Sequence, residues 1–353
     1  MIRRFGILGA GAWGTALAVI AERAGAEVTL WPRRSIQAAT LFARRENLLH
    51  LPGIALAPSI RIAATIEAAL DADAVLIALP AQHLREHLAP LAWPSGVAAV
   101  LCTKGLERAT LHTMPEVMAR IQPDAPLAVL SGPSFAGEAA RGLPTAVVIA
   151  GRESVLVSNL ASALAAPGFR PYVSDDLLGV ALGGAVKNVL AIGCGIVVGR
   201  GLGENARAAL LTRGLAELGR LVGAAGGRRE TAMGLSGAGD LLLTATSRQS
   251  RNATLGEALG QGRRLEDILG ERQSVAEGVE SAGAVVELAR RHGVEMPISE
   301  SVAAILAGGD IDAELRRLLA RPLKREGDIG SEAAQASQPP SPWSPVHRNG
   351  ESS

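Results

Sequence analysis

The 353-residue chain has little cysteine, few aromatic residues and almost no excess charge. Cys102 and Cys194 lie in separate apolar runs, so the sequence has neither a disulfide framework nor the spacing of a metal site. We expect two buried, reduced thiols in a cytoplasmic protein. Aromatic residues make up 3% and the net charge is +1, which argues against base-stacking surfaces and against a field that attracts nucleic acid. Nucleic acid is therefore not an expected partner.

Long uninterrupted apolar runs are also missing. No stretch supplies the roughly 18 apolar residues typical of a membrane span. The N-terminal sequence MIRRFGILGAGAWG imitates a signal peptide, but its four glycines would break the helix that such a peptide needs. What the chain does contain is 48% hydrophobic residues and 41 glycines. At this length, these features predict a soluble protein of about two domains.

The first half of the sequence alternates short apolar runs with longer amphipathic ones. FGIL, EVTLW, IRIAA and AVLIA are predicted strands separated by predicted helices, a pattern typical of a parallel sheet. VAAVL, LAVLS and TAVVIA continue this sheet, and ligands are expected in the loops that follow its strands. From about Asp175, long helical segments replace the strands. The prediction is an α/β domain over residues 1–178, an all-α domain over 179–325, and a Ser- and Pro-rich tail over 326–353 that we expect to be disordered.

Gly9, Gly11 and Gly14 form a GxGxxG pattern between the first predicted strand and the helix that follows it. In this context Gly9 permits the tight turn, Gly11 lets the backbone approach a pyrophosphate, and Gly14 allows the helix to pack closely on the strand. The positive end of the helix faces the phosphates. The pattern predicts a Rossmann-type dinucleotide-binding domain, and a purely structural turn is the alternative.

The second predicted strand leads into Arg33 and Arg34, where many dinucleotide-binding proteins have an acidic residue. An acidic side chain would bind the ribose 2′-hydroxyl of NAD(H), whereas arginines can hold the 2′-phosphate of NADP(H). We expect NADP(H) to be accepted, without excluding NAD(H). Alternatively, both arginines are solvated residues at the start of a helix.

Lys187 is the only charged residue in the helix-length run ALGGAVKNVLAIGCGIVVG. Burial lowers the pKa of a lysine, so Lys187 is a candidate proton donor to a carbonyl oxygen. Gly183 and Gly184, one turn earlier, are expected to leave room for a substrate. Asp240, in GLSGAGDLLLT, is the candidate counter-charge. The alternatives are a lysine that extends to solvent at the helix edge and an aspartate that caps a helix.

Ser250, Arg251 and Asn252 precede the helical run ATLGEAL, and Asn252 is predicted to cap that helix. A hydroxyl, a guanidinium and an amide at a positive helix terminus favour an anion, and a phosphate first. An ordinary capped helix is the alternative. Lys104 and Ser134 lie in loops after two other predicted strands, where each could bind a ligand or belong to a plain connection.

The motifs GAGAWGTALA, LWPRR, CTKGLE, SGPSFAGE, GAVKNVLAIGCGI, GLSGAGDLLLT, SRN and VAEGVES, in this order, resemble the bacterial NAD(P)-dependent glycerol-3-phosphate dehydrogenase family. The resemblance runs from about residue 4 to about residue 322. It implies reversible, NAD(P)H-dependent reduction of dihydroxyacetone phosphate to sn-glycerol 3-phosphate for phospholipid synthesis. Lys187 would then be the general acid/base, oriented by Asp240, while Arg251 holds the phosphate.

The resemblance also implies two sets of binding residues. The substrate would be bound by Lys104, Gly132, Ser134, Lys187, Asp240, Ser250, Arg251 and Asn252. With the glycine loop included, the cofactor would be bound by Gly9, Gly11, Ala12, Trp13, Gly14, Arg33, Arg34, Lys104, Ala136, Arg251, Val275 and Glu277. Ala12 departs from the family, because many members have serine there and could bond the pyrophosphate through its hydroxyl.

Two other functions are compatible with the same residues. One is a different NADP-dependent dehydrogenase, acting on a 2-hydroxyacid or a phosphosugar. The other is a redox sensor that binds NADP(H) and a partner without catalysis. The sequence leaves the oligomeric state open, and a homodimer is the assembly that we consider.

Overall fold

The computed structural model of the chain describes residues 2–271 and 276–322. The expectation of disorder for residues 326–353 falls outside the described residues, and so does Val275. The strands are β1 (Arg4–Leu8), β2 (Glu27–Trp31), β3 (Glu46–Asn47), β4 (Leu51–Ala55), β5 (Arg61–Ile62), β6 (Ala74–Ile77), β7 (Ala98–Leu101), β8 (Leu127–Ser131), β9 (Thr145–Ala150) and β10 (Phe169–Ser174).

The α-helices are α1 (Ala12–Arg23), α2 (Ser35–Arg44), α3 (Leu84–Leu88), α4 (Met114–Ile121), α5 (Ala136–Ala140), α6 (Ser154–Leu164), α7 (Leu177–Gly199), α8 (Gly203–Ala224), α9 (Asp240–Thr246), α10 (Arg251–Gly260), α11 (Leu265–Gly270), α12 (Glu277–Arg291), α13 (Pro297–Leu306) and α14 (Ile311–Leu319). A π-helical turn, Leu235–Gly239, leads directly into α9. After β10 the described chain is helical, as predicted.

Eight strands form one sheet in the order β10-β9-β8-β7-β6-β1-β2-β5, while β3 and β4 form a separate antiparallel pair. Every neighbouring pair in the large sheet is parallel except β8 and β9. The predicted α/β architecture is therefore confirmed. Both faces of the sheet are buried, since Ile7 and Leu8 on the same strand belong to different hydrophobic clusters.

The prediction that TAVVIA continues the sheet in the parallel direction is wrong, because β9 runs antiparallel to β8. The connection between these strands, residues 132–144, contains one short helix, the five-residue α5, which at 1.5 Å per residue spans roughly 7 Å. A five-residue strand such as β8 is roughly 17 Å long, so this helix is too short to carry the chain back to the opposite edge. The loop after β9 consequently lies at the edge opposite to the other strand ends.

This reversal determines where α7 starts. Strand β10 pairs in parallel with β9, so α7 begins at the opposite edge and runs back along the sheet. Val180 in its first turns packs in the cluster on one sheet face. Lys187 follows Leu177 by ten residues, a rise of about 15 Å, which brings it to the edge where β7 and β8 end.

Helix α7 also forms the centre of the second core, in which residues of α8, α10, α12 and α13 surround it. By length and hydropathy α7 could cross a membrane, but 94% of its apolar window is buried inside the protein, as in a core helix. The predicted domain boundary after residue 178 falls in the first turn of this helix. Because α7 packs on both cores, that boundary stays a prediction.

Candidate active site

The glycine loop between β1 and α1 has the geometry of a dinucleotide site. Gly9 has a φ of +103°, and a Cβ atom there would lie 2.7 Å from the carbonyl oxygen of Ala78. A Cβ on Gly14 would lie 1.8 Å from the carbonyl oxygen of Gly9, so the helix can approach the strand only without a side chain at this position. Gly11 faces open space, and no side chain caps the N-terminus of α1. The uncapped N–H groups, with Ala12 and Trp13 half-buried beside them, fit a pyrophosphate.

The end of β2 lies next to this loop and is basic. Arg33 and Arg34 are exposed just before α2. The carbonyl oxygen of Ala10 in the glycine loop accepts hydrogen bonds from Gln37 Nε2 (2.6 Å) and Asn47 Nδ2 (2.9 Å). These bonds tie α2 and the β3–β4 pair to the loop. The surface beyond the loop can therefore receive the adenosine end of a dinucleotide, with two guanidinium groups beside it.

A buried charge cluster lies at the end of β7 and β8, where α7 passes the sheet. Lys187 Nζ donates to Asp240 Oδ1 (3.1 Å) and to Thr244 Oγ1 (2.9 Å). Lys104 Nζ donates to Asp240 Oδ2 (2.5 Å) and to the carbonyl oxygen of Gly132 (3.3 Å). Lys187 and Asp240 are 6% and 2% exposed. Residues that are up to 136 positions apart in sequence thus form one network.

Burial and the neighbouring charges together change the pKa values of Lys187 and Asp240. Burial lowers the pKa of Lys187 to about 8, and the charge of Lys104 adds to that effect against the attraction of Asp240. Burial alone would raise the pKa of Asp240, but the charges of Lys104 and Lys187 outweigh it and hold that pKa below its usual value. Asp240 therefore stays ionised, while Lys187 can lose a proton near neutral pH.

The prediction that Gly183 and Gly184 leave room for a substrate is wrong. A Cβ atom on Gly183 would lie 2.9 Å from the carbonyl oxygen of Ser236, and one on Gly184 would lie 3.2 Å from Ser131 Oγ. Protein atoms already occupy the space beside both glycines. Their absent side chains let α7 pack against the π-helical turn and against β8. That packing brings Lys187 within reach of Asp240.

The prediction that Asn252 caps a helix is also wrong, because Ser250 occupies the cap position of α10. Ser250 Oγ accepts a hydrogen bond from the N–H of Ala253 (3.1 Å), as a cap does, whereas Asn252 lies inside the first turn. The amide of Asn252 instead donates to Asn188 Oδ1 (2.8 Å) and accepts from the N–H of Gly278 (3.1 Å). Arg251 is exposed on the same turn.

Three further predicted residues lie around this cluster. Ser134 Oγ donates to the carbonyl oxygen of Gly132 (3.0 Å), which also accepts a hydrogen bond from Lys104 Nζ. Ala136 opens α5 and is half-buried. Glu277, the first residue of α12, accepts a hydrogen bond from Asn188 Nδ2 (3.1 Å) and so joins the Asn252 network. The roles assigned to these residues stay predictions.

Sequence reasoning missed three residues at the site. Thr244 lies four positions after Asp240 on α9, a spacing that places both side chains on one helix face and was available as a signal. Asn188 is the other polar side chain in the apolar run around Lys187. His50 has no such signal. Burial, with the charges of Arg34 and Arg251, lowers the pKa of His50, so this side chain is close enough to both arginines to respond to their charge.

A dinucleotide loop and a buried, acid/base-competent lysine at the same sheet edge define a class of enzyme, the nicotinamide-dependent dehydrogenases with a Rossmann-type and a helical domain. Models of the N- and C-terminal parts of NAD-dependent glycerol-3-phosphate dehydrogenase match residues 4–156 and 176–315. The chain belongs to the NAD-dependent glycerol-3-phosphate dehydrogenase family. The resemblance seen in the sequence motifs is thereby confirmed.

Individual relatives match over nearly the whole chain. A glycerol-3-phosphate dehydrogenase (NAD(P)+) of Parvibaculum lavamentivorans is 54% identical over 328 residues, which are 92% of this chain and 98% of the relative. Its counterpart in Rhodospirillum rubrum is 53% identical over 338 residues, covering 94% and 96%. The crystal structure of glycerol-3-phosphate dehydrogenase from Coxiella burnetii superposes with a TM-score of 0.87 at 39% identity, covering 91% of this chain and 99% of that one.

Proposed function

We propose that this chain catalyses the reversible, NAD(P)H-dependent reduction of dihydroxyacetone phosphate to sn-glycerol 3-phosphate, the backbone precursor of glycerophospholipids. The observation that carries the proposal is the buried Lys187–Asp240–Lys104 cluster, at the sheet edge shared with the dinucleotide loop. Family membership and the names of the relatives support the substrate. Residues 1–178 would bind the cofactor, and residues 179–325 would contribute most of the substrate site.

The chain's own residues would position the substrate and move one proton. Arg251, Ser250 and Asn252 would hold the phosphate at the first turn of α10, while Lys104 and the Gly132–Ser134 loop approach the carbonyl end. When bound, the reduced nicotinamide supplies a hydride to C2. Lys187 Nζ would then protonate the developing alkoxide, and Asp240 would hold Lys187 in place and balance its charge. Fixed orientation of the reactants can lower the activation barrier by about 7–11 kcal/mol, and a positioned acid lowers it further.

The rate is expected to depend on pH through the protonation of Lys187. A rise in pH should slow ketone reduction and speed up alcohol oxidation. Reduction needs the ammonium form, so its kcat/KM should be highest below the pKa of about 8 and fall about tenfold per unit above it. Oxidation of glycerol 3-phosphate needs the neutral amine and should rise through the same pH. Steady-state rates between pH 7 and 10 in both directions test this. A flat profile, or two profiles that move the same way, would contradict it.

We propose that Arg33 and Arg34 bind the 2′-phosphate of NADP(H), while NAD(H) is also accepted. Replacing both with alanine should weaken the binding of NADPH by about 1.5–3 kcal/mol for each charge-assisted bond lost. The binding of NADH should change little. Arg152→Ala is the matched control, since Arg152 is also exposed but follows β9 at the opposite sheet edge. Fluorescence titration with each reduced cofactor measures the difference. Equal losses for both cofactors would show that the pair does not recognise the phosphate.

The proposed activity is tested by following the absorbance of the reduced nicotinamide with purified protein. Dihydroxyacetone phosphate should be reduced with NADPH or NADH, whereas a phosphate-free keto acid should not. Turnover of the keto acid alone would indicate a different dehydrogenase. If the protein binds NADPH but reduces no ketone, a redox sensor would be the better interpretation.

We further propose that the protein acts in the cytoplasm, as a homodimer. Both cysteines are buried and unpaired, which suits a reducing compartment. Ile36 and Phe42 on α2 are 76% and 73% exposed, and a second copy would cover such apolar side chains. Light scattering coupled to gel filtration measures the mass in solution, and a monomer would reject the homodimer.

A further inference from the structure

The loop that carries Lys104 connects β7 to α4 and is held at several points along its length. We refer to residues 102–113 as the Lys104 loop. Thr103 Oγ1 donates to the carbonyl oxygen of Leu79 (2.6 Å) and lies 3.1 Å from that of Ile77, at the end of the neighbouring strand β6. Gly105 has a φ of +134°, and a Cβ atom there would lie 3.2 Å from Ser281 Oγ and 3.3 Å from Ala81 Cβ. The backbone beside Lys104 therefore passes between the segment after β6 and α12.

The segment after β6 also binds this loop through side chains. Gln82 Nε2 donates to the carbonyl oxygen of Leu106 (2.8 Å), and Gln82 Oε1 accepts from the N–H of Arg108 (3.1 Å). Arg85 pairs with both carboxylate oxygens of Glu107, Nε to Oε1 and Nη2 to Oε2, each at 2.8 Å. A bidentate pair of this kind restricts orientation as well as distance. Two side chains one turn apart thus hold three consecutive residues of the loop.

Contacts beyond this segment complete the restraint. Thr110 Oγ1 donates to Glu107 Oε2 (2.6 Å), and the Arg85 hydrogen bond, helped by Thr110, holds the pKa of Glu107 below its usual value. Leu106 and Leu111 are buried in the core of the helical domain. Leu111 has a φ of +65°, a conformation that leucine adopts only when its surroundings impose it. The Lys104 loop is therefore fixed to the sheet at one end and to the helical core at the other.

We propose that Gln82 and Arg85, through Leu106 and Glu107, are positioning residues that hold Lys104 against Asp240. The hydrogen bonds of both side chains go to the Lys104 loop. Gln82 bonds the backbone two and four residues after Lys104, and Arg85 bonds the side chain of Glu107 between them. The Lys104–Asp240 bond of 2.5 Å depends on where that stretch of the loop lies. The proposal rests on the proposed function where it concerns turnover, but the effect on Lys187 can be measured without turnover.

Displacement of Lys104 has a specific electrostatic consequence. The charge of Lys104 lowers the pKa of Lys187, so moving it away should raise that pKa while Asp240 still attracts Lys187. The alkaline limb of ketone reduction should then move to higher pH. A loss of stability elsewhere in the protein would lower activity without moving this limb.

The test is Gln82→Met, which keeps the length of the side chain and removes both hydrogen bonds. Lysines labelled with ¹³C at the ε position report the pKa directly, because the chain has only Lys104, Lys187 and Lys324. We expect the Lys187 signal to titrate at higher pH in Gln82→Met than in the unsubstituted protein. We also expect kcat/KM for dihydroxyacetone phosphate to fall by about tenfold, because small misplacements of catalytic groups are costly.

Gln122→Met is the matched control. Gln122 is also half-buried and, like Gln82, makes two hydrogen bonds to the main chain, here to the carbonyl oxygens of Leu88 (2.8 Å) and Leu91 (2.9 Å), which lie outside the Lys104 loop. It should lose comparable stability and leave the Lys187 titration unchanged. If the pKa of Lys187 is the same in Gln82→Met and Gln122→Met, the proposal is wrong.

If the Gln82→Met protein does not fold, a second variant tests the same proposal. Glu107→Gln keeps the shape of the side chain and weakens the Arg85 pair, and it is judged by the same titration and by the same control. If the unsubstituted protein does not reduce dihydroxyacetone phosphate, the proposed function fails, but the titration still decides whether Gln82 and Arg85 position Lys104.

Discussion

Replacing Lys187 with methionine is expected to lower kcat for dihydroxyacetone phosphate reduction by about 10²–10⁴-fold, the usual contribution of a positioned general acid. Methionine fills a similar volume in the buried site, and Asp240 keeps Lys104 as its ionic partner. The glycine loop and the end of β2 do not depend on Lys187. Binding of NADPH should therefore change little, as measured by fluorescence titration beside the kinetic assay.

Lys187→Arg separates charge from proton transfer. Arginine keeps a positive charge beside Asp240, but it does not release a proton at accessible pH. If Lys187 acts as the acid, this variant should be nearly as inactive as Lys187→Met. Activity within tenfold of the unsubstituted enzyme in either variant would remove Lys187 from the proton-transfer step.

Replacing Asp240 with asparagine is expected to have the largest effect on stability. The carboxylate is buried between two ammonium groups, and its removal leaves buried positive charge without compensation, which typically costs about 3–5 kcal/mol. The pKa of Lys187 should fall further, because the attraction of Asp240 is lost and the repulsion of Lys104 is kept. The variant should therefore also lose the acid form of Lys187 near neutral pH, and with it most ketone reduction.

The sign of the pH dependence distinguishes this explanation from a general packing defect. A lysine whose pKa is lower in the folded protein than in the unfolded chain destabilises the fold while it is charged. The cost is present below the folded pKa, which is already about 8 before substitution, and is relieved as pH rises toward the unfolded value near 10.5. Urea unfolding of Asp240→Asn should thus show a larger deficit at pH 6 than at pH 9. An equal loss of stability at the two pH values would contradict this explanation.

Asp267→Asn serves as the control for that experiment. Asp267 pairs with Arg264 on the surface, three residues away on the same chain segment. An exposed pair of this kind contributes little to stability, so the substitution should have a negligible effect at either pH. A large loss in this variant would show that the assay reports changes in surface charge instead of the buried cluster.

How far the sequence could predict the site is seen in the residues around Lys187. The apolar run on both sides predicted burial, and a buried ammonium needs a partner, so Asp240 could be proposed from pattern alone. The second lysine on the same carboxylate was not predicted. One signal was available, since lysine occurs only three times in a chain with 35 basic residues, and two of the three meet at Asp240. The network of Asn188, Asn252 and Glu277 had no comparable signal.

Two of the three local predictions that failed, on Asn252 and on TAVVIA, have the same kind of cause. Asn252 has a good capping side chain, but Ser250 is placed so that its oxygen meets the N–H of Ala253, and the position of Asn188 on another helix decides what Asn252 does. TAVVIA has the composition of a buried strand in either direction. Its direction depends on the length of α5, a helix too short to return to the opposite edge.

By itself the sequence determined the features that depend on neighbours along the chain. Strand and helix periods, the three glycines of the loop, the burial of Lys187 and the family motifs are all encoded within short segments. Only the tertiary structure decided which distant groups meet: the reversal of β9 and β10, the path of α7 along the sheet, and Lys104 on Asp240. The reason is physical, because a hydrogen bond between residues 136 positions apart requires the whole fold between them, and no local pattern records it.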